Sequence, residues 1–398
     1  MNNGVTCQSE YTSDRILYMA MELSERNWNL GFTTGLGQAP RRRSIEARDM
    51  KAIEGEISLG KRRFGLSDMT RVLSCHEAGR EGFWLHRYLV QGGVENLVVD
   101  AASMEVRRHR HRVKTDRVDL GKLVRMLVRY HLGDKETWSV VRVPSVEVED
   151  RRQLHRERWA LVGERTRHIC RINGLLANQG VRVPVRKDFL ERLEETCLWD
   201  GSSVPSGLMA RLLREHQRLQ WVGQQIEQVE EEQRQLLRNS NDPSITMVRN
   251  LIRLKGIGAH TAWPLVMELF SWRNFRNGRE IGGLVGLASD PHQSGDEVRD
   301  QGMSKKGNSN IRALVIELGW HWVFHQPDSK LTRWYQKRFA KGSRRVRKIG
   351  IVALARKLLI DLWRYLETGE TPEGTVLMTV TFLSSVAGRP CKAIVQWL

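Results

Sequence analysis

Lysine and arginine total 64 against 46 aspartates and glutamates in 398 residues, a net charge of +18 that favours a polyanionic partner. A membrane surface is disfavoured as that polyanion, because no apolar span of roughly 18 residues and no N-terminal signal pattern occurs. The five cysteines (Cys7, Cys75, Cys170, Cys197 and Cys391) are scattered and odd in number, with no C-x-x-C or Cys/His zinc spacing, and a reducing cytoplasm fits them best.

Residues 1–14 are polar. Ile16–Met21 then reads as a buried strand ending in Glu22, and Trp28–Thr33 as its hairpin partner. Arg41–Ile45 suits a third strand and Asp49–Gly60 a helix. Thr70–Cys75 is a fourth strand, ending in Glu77. A helix with Phe83, Trp84, Leu85, Tyr88 and Leu89 follows, closed by Gly92-Gly93. Asn96–Asp100 is a fifth strand, and an amphipathic helix opens at Asp116. Three strands followed by alternating helix and strand predict an α/β domain with a mixed sheet.

The texture changes at Pro144. Val146–Gln179 is long, charged and helical in period, with Leu154, Leu161, Ile169, Ile172 and Leu176 on one stripe. Gly207–Asn239 repeats the pattern with Leu212, Leu219, Val222, Ile226, Val229 and Leu236. Such a pair is either a coiled-coil-like arm or part of a plain helical bundle. Asn239–Ser244 breaks it. Leu251–Ala262, with Lys255-Gly256-Ile257-Gly258 at its centre, has the pattern of a helix-hairpin-helix, whose tight turn offers backbone N–H groups to a phosphate. The competing reading is a turn of packing origin. Gly-rich and basic loops run through Gly282–Ala288, Pro291–Gly295 and Gly302–Asn308, the last carrying Lys305 and Lys306. Helices follow over Ser309–Phe324 and Ile349–Leu366. Between them, Arg333–Lys348 holds eight Lys or Arg and no acid, including Arg344, Arg345, Arg347 and Lys348. Uncompensated cations at that density suit nucleic-acid phosphates, and Trp334, Tyr335 and Phe339 among them suit stacking on bases. The plainer reading is a solvated face.

Chemistry concentrates at Lys114-Thr115-Asp116-Arg117-Val118-Asp119. Two carboxylates three residues apart share a helix face and suit the positive end of the helix. Oxygen ligands so placed hold a hard divalent cation, although a capped surface helix reads the same way. Arg107, Arg108, Arg110, Arg112 and Lys114 make the flank cationic. In an RNase H-like sheet the first strand is central and the fourth lies beside it. Glu22 and Glu77 at those strand ends, with Asp116 and Asp119 on the following helix, would then converge on one point. Such a cluster suits two Mg²⁺ ions and an in-line phosphoryl displacement. A hydroxyl nucleophile is less distinct: Ser294 lies in a Gln-Ser-Gly turn, and Ser304 and Ser309 are nearby, where most serines are turn residues.

The chain also resembles a known family through Cys75-His76-Glu77-Ala78-Gly79, Gly82-Phe83-Trp84-Leu85-His86-Arg87, Lys114–Asp119, Lys255–Gly258, Gln293-Ser294-Gly295 and Ser304–Asn308. These motifs, spread from about Ile16 to Gly374, resemble the DEDD transposases of the insertion-sequence one-hundred-ten family, in its eleven-eleven group. The resemblance implies an α/β plus α architecture. Residues 1–144 would form a RuvC-like (RNase H-like) catalytic domain, 145–242 a helical coiled-coil region, and 243–398 a mainly helical transposase domain with the helix-hairpin-helix-like motif and a catalytic serine. It implies metal ligation by Glu22, Glu77, Asp116 and Asp119, with Ser294 as nucleophile. Glu22 departs from the aspartate the family name expects, and its longer stem shifts the carboxylate by one methylene. Implied partners are Mg²⁺, donor and target double-stranded DNA, and a structured non-coding bridge RNA that pairs with both. The acids and the serine fall in different domains, so a homodimer or homotetramer is expected. A bacterial cytoplasm, with nucleoid association during activity, is the expected setting. The rival reading is a metal-dependent, structure-selective endonuclease that resolves branched DNA with water. A third is a non-catalytic nucleic-acid-binding protein, against which four intact carboxylates argue.

Overall fold

The computed structural model describes residues 15–79, 81–100, 103, 116–294, 297–304 and 307–379; for 116–119, 289–294 and 297–301 it describes the backbone only. The chain divides into two compact units, residues 1–144 and 145–398.

The first unit is built on a five-stranded sheet of strands β1 (Leu17–Leu23), β2 (Asn27–Thr33), β3 (Arg41–Glu46), β4 (Val72–Glu77) and β5 (Glu95–Val99), in the order β3-β2-β1-β4-β5. Strand β2 is antiparallel to its neighbours β1 and β3, whereas β1, β4 and β5 run parallel. Alternation sorts the side chains. Leu17, Met19 and Met21 pack with Trp28, Leu30 and Phe32 against helices α1 (Met50–Arg63) and α2 (Trp84–Gln91), burying Ile53, Leu85 and Leu89. Tyr18, Ala20, Leu73 and Cys75 face the other way, onto Leu120, Leu123, Val124 and Leu127 of α3 (Asp116–His131). Ala20 pairs with Gly31 across β1 and β2, and a Cβ on Gly31 would lie 2.8 Å from Val124 Cγ2 and 3.1 Å from Leu120 Cγ. The absent side chain at position 31 lets α3 lie directly on the sheet.

In the second unit two long helices, α4 (Val146–Ala177) and α6 (Ser206–Asn239), form an antiparallel pair, with the short α5 (Phe189–Glu194) between them in sequence. Ion pairs set the direction: Arg158 binds Glu230 at 2.8 Å and Arg171 binds Glu215 at 3.2 Å, so partners ascend along α4 as they descend along α6. Two small apolar clusters run along the pair, one around Leu161, Val222 and Ile226, the other around Ile172, Leu176 and Leu212.

The largest core joins α7 (Pro243–Ile252), α8 (Ala259–Leu265), a π-helical turn (Val266–Phe270), α9 (Gly278–Leu284), α10 (Ser309–His325), α11 (Lys330–Arg338) and α12 (Arg344–Thr368), around the fully buried Trp263 and Trp322. Pro264 lies inside α8, where it cannot donate a backbone hydrogen bond, and the helix widens into the π turn just after it. Between α9 and α10 a two-stranded ribbon, β6 (Ser289–Ser294) and β7 (Glu297–Met303), occupies a stretch whose composition suggested loops. Its sequence, with Pro291 and Gly302, lacks the apolar alternation that marks a strand.

Buried Glu268 ties α4 to the π turn. It accepts from Arg152 Nη2 (2.9 Å), Arg156 Nε (2.7 Å) and His155 Nε2 (3.0 Å). Burial alone would raise its pKa, but hydrogen bonds from His155 and Arg156 and the Arg152 and Arg156 charges override it and hold the carboxyl far below its ordinary range. Burial and the two flanking arginines keep His155 neutral against the pull of Glu268, so its Nε2 carries the donated proton.

Candidate active site

Parallel β1 and β4 are register-matched from Leu17–Val72 to Met21–His76, so Glu22 and Glu77 follow side by side at the strands' carboxyl ends. Glu22 is the penultimate residue of β1 and Glu77 the last of β4. Both fall on the α3 face by alternation: Glu22 shares parity with Tyr18 and Ala20, and Glu77 with Leu73 and Cys75. The chain leaves β1 toward β2 on one side and leaves β4 toward β5 on the other. Loops that diverge in this way leave a crevice beyond the strand ends, the usual ligand position in open α/β sheets.

A cleft of about 400 Å³ lies there, lined by Glu22, Glu25, Glu77 and Glu81, by the backbone of the loop after β4, and by Leu120 and Leu123 of α3. The side chains of Asp116 and Asp119 are outside the described residues. Their helix positions precede Leu120 and Leu123 by four residues each, one turn back along α3. Among the described residues no group of three or more His, Cys, Asp or Glu is arranged to hold a metal ion.

Glu25 and Glu81 had no signature in the sequence. Glu81 is nearly buried and clasped by Arg48, at 2.6 Å from Nη2 and 3.1 Å from Nε. Arg48 itself has φ of +68°, a left-handed conformation uncommon outside glycine. This clasp fixes the loop that forms one wall of the cleft. On the opposite face of the sheet, Ser74 Oγ donates to Asn96 Oδ1 at 2.7 Å, and Asn96 Nδ2 donates to His86 Nδ1 at 3.0 Å and reaches His76 Nδ1 at 3.4 Å. Burial pushes the His76 pKa down to about 4 and lowers that of His86 too, so both rings are neutral links between β4, β5 and α2.

In the second unit, Lys255 and Gly258 are exposed in the turn between α7 and α8. Gly256 has φ of +95°, and a Cβ there would meet His325 Cβ at 2.8 Å, so no other residue fits without displacement. Arg344, Arg345, Arg347 and Lys348 are all exposed in the first turns of α12, which begins five residues earlier than its apolar pattern suggested. Of the aromatic residues in this basic run, Tyr335 is withdrawn from solvent, whereas Trp334 and Phe339 are only partly covered. Tyr335 belongs to the core and the other two pack against it, because α11 is amphipathic. Ser294 is the last residue of β6, paired with Glu297 of β7 at the tip of the ribbon. Arg107, Arg108, Arg110, Arg112, Lys114, Lys305 and Lys306 lie outside the described residues.

Residues 248–336, from α7 into α11, match the family described as Transposase IS116/IS110/IS902. A relative from Sinorhizobium fredii, described as putative transposase y4rJ, is 39% identical over 381 residues, covering 91% of this chain and 95% of the relative. The chain belongs to the IS116/IS110/IS902 transposase family. More distant members include the transposase for insertion sequence element IS1328 of Yersinia enterocolitica, 28% identical over 56% of this chain and 63% of its own length. The transposase for insertion sequence element IS1111A of Coxiella burnetii is 26% identical over 60% of this chain and 64% of its own. Membership makes the chain one of a family of DNA-processing enzymes, and no helix among its described residues is long and apolar enough to cross a membrane.

Proposed function

We propose that this family member cuts and rejoins the DNA of an insertion sequence, guided by a non-coding bridge RNA, with Glu22, Glu77, Asp116 and Asp119 as Mg²⁺ ligands and Ser294 as nucleophile. The observation that carries this reading is the cleft beyond β1 and β4, where Glu22 and Glu77 stand side by side under α3. Support for a RuvC-like domain is the sheet order β3-β2-β1-β4-β5, in which the first strand is central, the fourth lies beside it and only β2 is antiparallel to its neighbours. An all-carboxylate donor set suits a hard divalent cation. Bound there, Mg²⁺ would neutralise charge developing on the phosphate oxygens of the scissile strand. The four acids would hold the metal, and the Arg48–Glu81 clasp would keep the loop after β4 in place around it.

The serine step divides strand exchange in two. Ser294 Oγ would give its proton to a general base and attack phosphorus. An O–P bond to the serine forms, a DNA P–O bond breaks, and the departing DNA oxygen takes up a proton. Attack by that hydroxyl, or by the equivalent end of another strand, reverses the step and frees the serine. Support for Ser294 is its position at the tip of the ribbon, inside the segment that matches the family. Support for phosphate binding is the exposed cationic start of α12 and the Lys255–Gly258 turn. The division into residues 1–144, 145–242 and 243–398, a coiled-coil role for the α4–α6 pair, a homodimer or homotetramer, and a bacterial cytoplasmic, nucleoid-associated setting belong to the same proposal.

Trapping decides between this reading and the water-using resolvase. The unmutated protein, denatured during reaction with its RNA and DNA, should show a protein–DNA adduct that survives boiling in detergent. Ser294→Ala should bind nucleic acid but form no adduct, and Asp119→Ala should bind but not cut. Glu22→Asp should lower activity rather than raise it. Continued cutting by Ser294→Ala without an adduct would establish the resolvase; an adduct on Ser304 or Ser309 would move the nucleophile.

A further inference from the structure

Helix α10 is apolar on nearly every side, and such a helix is normally buried all round. Here one face is buried and the other is not. Ile311, Val315, Leu318 and Trp322 enter the core, where Trp322 Nε1 donates to Ser329 Oγ at 2.9 Å. The outer stripe carries Trp320, 45% exposed, and Phe324, 80% exposed, one helical turn apart. Between and beside them are two imidazoles: His321 and His325 stack with centroids 6.1 Å apart, and Phe324 meets His325 edge-on at 4.8 Å. One acid, Glu317, lies on the stripe, 3.9 Å from His321.

The stripe continues onto the turn between α7 and α8. Gly256 abuts His325, as its blocked Cβ position shows. Gln326, fully buried, donates to the Lys255 carbonyl at 2.9 Å and accepts from Val376 N at 2.7 Å. The helix end and the Lys255–Gly258 turn therefore form one fixed surface, with planar aromatic groups on one part and a cation on the other.

We infer that this surface binds unpaired nucleotides, with bases stacked on Trp320 and Phe324 and the backbone phosphates running toward Lys255 and the imidazoles. The chemistry favours this occupant over a second protein. Exposed π faces one turn apart suit successive bases, and, Glu317 apart, the adjoining polar groups are Lys255 and the two imidazoles, in a chain of net charge +18. The inference deepens the proposed function by giving a transposase guided by RNA a place to hold strand that is not in duplex. Both an RNA loop and a melted DNA strand carry that chemistry.

The test measures binding of fluorescent thymidine and uridine homopolymers and of a DNA duplex by the full chain. Trp320→Ala and Phe324→Ala should each weaken single-strand binding roughly tenfold, the scale of one lost stacking contact. Phe324→Leu, which keeps apolar bulk without a π face, should lose as much, and Phe324→Trp should restore binding. Duplex affinity should not move, because paired bases offer no free face to stack, and the unfolding midpoint should stay in place for Phe324→Ala, whose side chain is 80% exposed. A loss confined to one homopolymer identifies RNA or DNA as the source. Unchanged single-strand affinity in the alanine variants overturns the inference and leaves the transposase reading standing. Unchanged affinity with a smaller assembly in solution overturns it in favour of a face for a second copy of the chain. A parent that stacks single strands but cuts no DNA overturns the proposed function and not this site.

Discussion

Replacing Arg344, Arg345, Arg347 and Lys348 together with glutamine separates binding from folding in α12. All four are exposed, the first turn contains no acid, and the cap is Ser343, whose Oγ accepts from Val346 N at 3.4 Å. Cations at this end oppose the helix dipole, whose positive pole lies at the N-terminus. Their removal should raise stability by on the order of 1 kcal/mol at low salt, with the gain fading as salt screens the dipole. Binding should move the other way. Each phosphate contact contributes about 0.9 to the log–log salt slope on duplex DNA, so losing four contacts flattens it by about 3.6. Anisotropy titrations over a potassium chloride series give the slope, and urea unfolding of the same samples gives the stability. A more stable variant with an unchanged slope would show these cations to be a solvated face. A less stable variant would show that they support the fold, and would refute the dipole argument.

Gly31→Ala tests how α3 is seated. The new Cβ would meet Val124 at 2.8 Å, which calls for about 1–3 kcal/mol of destabilisation and a displaced α3. DNA cutting should fall with nucleic-acid affinity retained, and undiminished cutting per folded molecule would show that the seat of α3 does not set the site. Glu268→Gln tests the α4 lock. It leaves Arg152, whose side chain is 9% exposed, beside a neutral amide, at a cost of roughly 3–5 kcal/mol near neutral pH. Because the folded-state pKa of Glu268 is depressed, its contribution is complete above the ordinary value of 4.5 and is lost as pH falls below it. The stability gap between parent and variant should therefore narrow in acid, and parallel urea midpoints down to about pH 3 would refute the assignment.

Much of the first unit was legible in the sequence because β1, β2, β4 and β5 are short, largely apolar and separated by turn residues, which put Glu22 and Glu77 at strand ends, while the register that sets the two acids side by side belongs to the pairing of β1 with β4. The two long helices were equally plain, since a charged chain with a sustained 3.6-residue apolar period has few other ways to bury that stripe. The family motifs, read as a set, led to the same family as the comparisons. Other features depended on contacts between residues distant in sequence, which no local pattern encodes. The clasp of Glu81 by Arg48 joins residues 33 apart. Glu268 meets Arg152 across 116 residues of chain. The β6–β7 ribbon exists through cross-strand pairing with little local propensity to announce it. The aromatic residues show the division best. Tyr335 sits among cations in the sequence yet is buried, with Trp334 and Phe339 partly covered beside it, while Trp320 and Phe324, in a helix that reads as wholly buried, remain outside. Composition determined that this chain would carry both aromatic and cationic surface, but helix packing decided which rings face solvent, because a ring's exposure depends on what lies across from it and not on its neighbours in the chain.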